Sequence, residues 1–163
     1  MYGENIPSKP VLPEPLRTTR LTLEGEPIEI VGEVQGDARN NSYVWLSSAR
    51  TVICGDIVYN GVYPWTLETN ASERREWIIT LDRISALEPA IVVGGHKNPE
   101  LPDDLSSLAF MKKYLSAYDD LLASSGSAEE LRTKVKKMFP GLGLEVILNL
   151  ASDAVFPRGK KAA

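Results

Sequence analysis

Two runs in this chain, YVWL at 43–46 and TVICG at 51–55, are apolar on successive residues. A strand with one solvated face alternates apolar and polar side chains, because neighbours point to opposite faces. Strands that fail to alternate belong to a sheet that buries both faces. The segments available to cover such a sheet are helical, and each carries one stripe. NASERREWIITLDRISALEP opens with Asn70 and Glu73 at capping-box spacing, carries Trp77, Leu81, Ile84 and Leu87 at helical intervals, and stops before Pro89. DDLSSLAFMKKYLSAYDDLLASSG repeats Leu108, Met111, Leu115, Tyr118 and Leu122 on one stripe and ends at Gly126. Such helices cover one sheet face and leave the other. The expectation is a homodimer in which two sheets face each other across a two-fold axis.

The remaining elements fit around this layer. TRLTLEGEPIEIVGEV places Leu21, Leu23, Ile28 and Ile30 on one side of a hairpin, so one buried face is expected there. A second strand pair runs from Tyr43–Leu46 through a turn at Ser47–Arg50 into Thr51–Cys54, and a last apolar run covers Ile91–Val93. SAEELRTKVKKMFPG starts a helix with Ser127 and Glu130 at capping-box spacing and is expected to bury Leu131, Val135 and Met138. A short apolar helix follows at 143–152. Four prolines in residues 1–18 (Pro7, Pro10, Pro13, Pro15) exclude a helix or central strand there and predict an extended arm. The domain reading is an arm at 1–18, a single α/β domain at 19–155 and a flexible tail at 156–163.

At 163 residues the chain suits one domain with its own core. A net charge of −4 offers no basic stripe to neutralise phosphates, which argues against nucleic acid. Lys134, Lys136 and Lys137 lie among acidic residues, as on a solvated helix face. No apolar run approaches the roughly 18–20 residues that span a bilayer, so no membrane partner is expected. MYGENIPSKPVLPEP has no signal-peptide core, and Cys54 is the only cysteine, which favours a reducing, cytoplasmic setting. The sequons NNS at 40–42 and NAS at 70–72 read as coincidental in that setting.

Chemistry concentrates at strand ends. Gly55-Asp56 follows an apolar strand, a position suited to a ligand or acid/base carboxylate, with a turn cap as the competing reading. His96, the sole histidine, stands at the end of AIVVGGHKNP. Asp56 and His96 could therefore meet on one rim of a sheet. Cys54, two residues before Asp56, points to the same face of an extended strand, and reads either as a third polar group or as a small buried hydrophobe. Trp45, Tyr59, Tyr63 and Trp65 could line a pocket for a small-molecule substrate, or serve as core aromatics. The sequence has no G-x-G-x-x-G, Walker loop, G-x-S-x-G elbow or H-E-x-x-H.

TVICGDIVYNGVYPW, then EWIITLDRISALEP, then AIVVGGHKNP and a helix ending YLSAYDDLL resemble the C-terminal half of a metallo-β-lactamase-superfamily hydrolase. The resemblance spans residues 19–122. It implies an α/β fold, half of an αββα metallo-β-lactamase-like sandwich, with a mixed, mostly antiparallel sheet and helices on one face. It also implies a zinc-activated water attacking an ester, lactone, lactam or thioester carbonyl. Asp56 falls on the family's metal-bridging aspartate and His96 on its last histidine ligand.

The chain departs from that pattern at most ligand positions. The H-x-H-x-D-H motif is absent, Gln35, Gly36 and Asp37 stand where the middle histidine is expected, and Tyr63 replaces a further histidine. The proline-rich start resembles the linker between the family's halves. Catalytic zinc takes three protein ligands; this chain offers Asp56 and His96, with Cys54 and Asp37 as further candidates, so a zinc site here is incomplete. Three functions follow from this reading. The first is a diverged, hydrolase-like small-molecule enzyme, in a secondary-metabolite pathway. The second is a metal-free cyclase, isomerase or lyase using His96 and Asp56 for proton transfer. The third is a non-catalytic half-domain that pairs with a partner.

Overall fold

The computed structural model describes residues 9–156. Its elements follow the order β1 (Arg20–Leu23), β2 (Glu26–Val34), β3 (Asn41–Leu46), β4 (Thr51–Asn60), α1 (Ala71–Ser85), β5 (Ile91–Lys97), α2 (Ser106–Ala123), α3 (Ala128–Met138) and α4 (Glu145–Val155). The sheet is five-stranded in sequence order; β1 to β4 pair antiparallel, and β5 joins β4 in parallel. The fold is therefore the expected mixed α/β layer.

Local chemistry accounts for the connections. The hairpin turns through Glu24 and Gly25, both at positive φ, the geometry whose twist matches antiparallel strands. Asn70 accepts from the backbone N–H groups of Ser72 and Glu73 while Glu73 accepts from the N–H of Asn70, completing the capping box of α1. The Arg50 guanidinium donates to the Glu88 carbonyl, and the Arg50 carbonyl accepts from Ala90 and Ile91. These bonds seat β5 against the start of β4. Ser127 caps α3 at the Glu130 N–H, but the Glu130 carboxylate turns to the Gly126 N–H, so the box is not closed on its own cap residue.

The core lies between the sheet and the helices. Trp77, Leu81 and Ile84 of α1 and Leu108, Met111 and Leu115 of α2 pack with Trp45, Val52 and Val92. Trp77 Nε1 donates to the Ile57 carbonyl at 2.8 Å, fixing the helix to the sheet. A second cluster joins Tyr63, Tyr114, Tyr118, Leu131, Val135, Phe139 and Leu148. Arg74, buried, pairs with Asp119 at 2.6 Å and lies over the Tyr118 ring, linking α1 to α2.

Some expectations fail. Met138 is 47% exposed, because the chain leaves its helical stripe at the Phe139 cap and Phe139 takes the buried place. The hairpin has no buried apolar face either: Leu21 is 42% and Leu23 65% exposed. Pairing explains why. Leu21 lies opposite Ile28, and Ile30, Val44, Ile53 and Val93 form one direct cross-strand row, on the side away from buried Trp45, Val52 and Val92. The apolar side of the hairpin continues the open face of the sheet, while the charged pair Arg20 and Glu29 lies on the side that the helices cover elsewhere. Residues 9–18 of the proline-rich segment are exposed and carry no helix or strand. Residues 1–8 of the expected arm and 157–163 of the expected tail lie outside the described residues.

Candidate functional site at the β4–β5 rim

Because β4 and β5 run parallel, their C-terminal ends reach the same rim. The strand does not end at Gly55-Asp56, as expected from sequence; it continues to Asn60. Gly55 takes φ +51, a left-handed conformation cheap only for glycine, and the pairing register with β5 shifts there. This kink breaks the two-residue alternation. Cys54 is fully buried on the helix side, whereas Asp56 turns outward and is half exposed. The expected shared face of Cys54 and Asp56 is thereby overturned, and burial pushes the Cys54 thiol up to about 12.

The double glycine of β5 is required by the same kink. A Cβ on Gly95 would sit 2.4 Å from Asp56 Oδ1, and one on Gly94 would sit 2.6 Å from the Val58 carbonyl oxygen. With both absent, β5 closes on the bulge and delivers His96. Its Nε2 lies 3.3 Å from Asp56 Oδ1, both side chains half exposed. The two strand-end groups do converge.

Tyr59 completes the cluster. Its ring stacks on His96 at 5.2 Å between centroids, 20° apart, and its hydroxyl donates to Asp37 Oδ2 at 2.9 Å. Asn41 Nδ2 donates to Asp37 Oδ1 at 3.1 Å. Partial burial raises the Asp37 carboxyl above its ordinary range, against the pull of these two donors, and the charge of Asp56 adds to the rise. Burial and the neighbouring Asp37 carboxylate likewise raise the Tyr59 phenol, so it stays a hydroxyl donor. Beside this cluster a cleft of about 660 Å³ runs between Gly61, Gly95, His96, Lys97, Gly143 and Leu144.

The other sequence candidates lie apart. Trp45 packs in the main core, Tyr63 in the second cluster with its hydroxyl donating to the Phe139 carbonyl, and Trp65 against the core edge with Nε1 donating to Glu68. Gln35 is buried and its amide donates to the Gly36 carbonyl. Sequence reasoning missed Asn41, which holds Asp37, and the 141–144 loop, which borders the cleft through a bridge between Val62 and Gly143. The glycine pair next to His96 was a readable signal of close approach; the bridge had none.

No protein-family model matches the chain, and no curated protein matches it significantly. Solved structures do. A metallo-β-lactamase family protein from Thermus thermophilus aligns with 90% of this chain at TM-score 0.61 and 22% identity, over 48% of its own length. A metallo-β-lactamase from Pontibacter korlensis aligns with 62% of this chain at TM-score 0.51 and 19% identity, over 47% of its length. The fold is half of the metallo-β-lactamase fold. The chain spans about half the length of the structures it matches.

The family resemblance implies zinc, and the donor set of this half-fold falls short of it. Among the described residues, no group of three His, Cys, Asp or Glu side chains could hold a metal ion. Asp56 and His96 offer two donors; both Asp37 oxygens accept hydrogen bonds from Tyr59 and Asn41, and Cys54 faces the core. A three-ligand catalytic zinc does not fit these residues.

Proposed function

We propose that this metallo-β-lactamase half-fold is a hydrolase-like small-molecule enzyme in which His96 and Asp56 perform the proton transfers. The observation that carries the reading is the 3.3 Å contact between His96 Nε2 and Asp56 Oδ1, with His96 lining the cleft. An imidazole has one nitrogen that can accept a proton and one that can donate it, so it serves as either acid or base. The nitrogen turned away from Asp56 takes a proton from a water as that water's oxygen bonds to an ester, lactone or thioester carbonyl carbon. The Asp56 carboxylate balances the imidazolium formed. When the tetrahedral intermediate collapses, the bond to the leaving oxygen or sulfur breaks and the imidazolium returns the proton to it. Tyr59, stacked on the ring and held by Asp37, keeps the imidazole in place. The enzyme works in the cytoplasm, a setting suited to a lone, reduced cysteine, and as a homodimer.

The test is hydrolysis of an ester, lactone and thioester panel by the full chain. His96→Ala is expected to lower kcat/KM at least about 100-fold and Asp56→Asn about 10-fold or more, with thermal stability nearly unchanged. Chelation leaves the activity intact, and elemental analysis finds less than one tightly held zinc per chain. Full activity in His96→Ala, or activity that chelation removes and zinc restores, refutes the reading. If hydrolysis is absent throughout, the same pair is tested for cyclase, isomerase or lyase proton transfer by solvent deuterium incorporation.

A further inference from the structure

We infer that the homodimer is built by the open face of the sheet, stacked on the same face of a second copy. The inference rests on the dimer proposed above and is independent of the chemistry proposed for His96. Ile30, Val44, Ile53 and Val93 are direct cross-strand partners across four strands, and Ile53 and Ile91 are each 43% exposed. These residue types pack; they do not solvate.

Three observations select a second copy as the occupant. The first is charge. Charge is confined to the margins of this side: Glu26, opposite Leu23 beside the hairpin turn, and Asp56 with His96 at the rim beyond the row ending at Val93. The rows between offer a charged partner nothing to pair with, whereas a two-fold copy apposes apolar rows and leaves these charges at the margins. The second is the polarity of the hairpin, with Arg20 and Glu29 on the helix side and Leu21, Leu23 and Ile28 on the open side. That arrangement extends the apolar face beyond the helix-covered core, so the two faces have different footprints. The third is area. Five strands spaced about 4.8 Å apart and averaging about 20 Å in length give roughly 480 Å² per copy in flat projection. Doubled, that comes to about 1,000 Å², at the threshold of a stable interface even before side-chain relief is added. The described part of the proline-rich segment does not cover the face: Val11 is 94% exposed. Sheets stacked this way sit about 10 Å apart with interdigitated side chains.

Light scattering on a sizing column, with the full chain at micromolar concentration, tests the surface. The wild-type chain is expected to elute as a dimer, and Ile53→Lys as a folded monomer. Ile91→Lys, at the sheet edge, is the second variant and decides the matter if Ile53→Lys does not fold. A wild-type monomer overturns both the dimer and its surface. A dimer that survives the lysine in a folded variant overturns the surface alone, and places the contact elsewhere. Neither result bears on the hydrolysis test of His96.

Discussion

The two faces of this sheet are built from the same residue types and have opposite fates. Val52 and Ile53 are neighbours in β4; Val52 is fully buried beneath the helices, and Ile53 is 43% exposed. Val92 and Ile91 repeat the contrast in β5. Apolar character therefore does not decide burial. Burial is decided by which side α1 and α2 occupy, and the stripe geometry of two helices suffices for one side. Stability of the single chain lies on the helix side, while the open side and the rim beyond it are free for assembly and chemistry.

That division is broken most directly by cutting the helix side. Trp77→Ala removes a fully buried indole and its bond to the Ile57 carbonyl, and is expected to cost about 3–5 kcal/mol in denaturant unfolding. A loss under about 1 kcal/mol would mean that α1 is not what holds the sheet. The rim comes next. Gly95→Ala forces a methyl onto Asp56 Oδ1 and the Gly55 backbone, with an expected loss of about 1–3 kcal/mol and displacement of Asp56 from His96. Chemical-shift changes confined to residues 55–59 and 94–97 would report it.

The same comparison is sharpened within one strand. Val52→Ala is expected to cost about 1–3 kcal/mol, and Ile53→Ala under about 1 kcal/mol, at dilutions that keep the chain monomeric. Equal losses would mean that the open face is covered within the chain. The smallest effect is in pH. The raised Asp37 carboxyl keeps its proton to higher pH in the folded chain than in the unfolded one. Below about pH 4 both states are protonated and the contribution is constant; above it the folded state alone holds the proton, so stability falls as pH rises to the raised value. Asp37→Asn removes this slope in unfolding measured across the acid range. A slope that persists in the variant assigns it to another carboxyl.

Residue order alone determined the helices, the strand pairs and the mixed character of the sheet, and put Asp56 and His96 where they could meet on one rim. Each of those rests on local periodicity, on caps such as Asn70 and Glu73, on glycines that let chains approach closely, or on the family resemblance those segments carry. The non-alternating strands also announced a sheet with two apolar faces. Tertiary structure decided the rest. Only the folded chain shows the left-handed turn at Gly55 that sends Cys54 inward and Asp56 outward, since strand periodicity presumes an unkinked strand. Only packing stacked Tyr59 on His96, bound its hydroxyl to Asp37 and dispersed Trp45, Tyr63 and Trp65 among the cores, because an aromatic side chain's destination depends on which layer packs over it. Which face of the sheet stays open likewise depends on where α1 and α2 dock, a contact between residues far apart in the chain that no local pattern encodes.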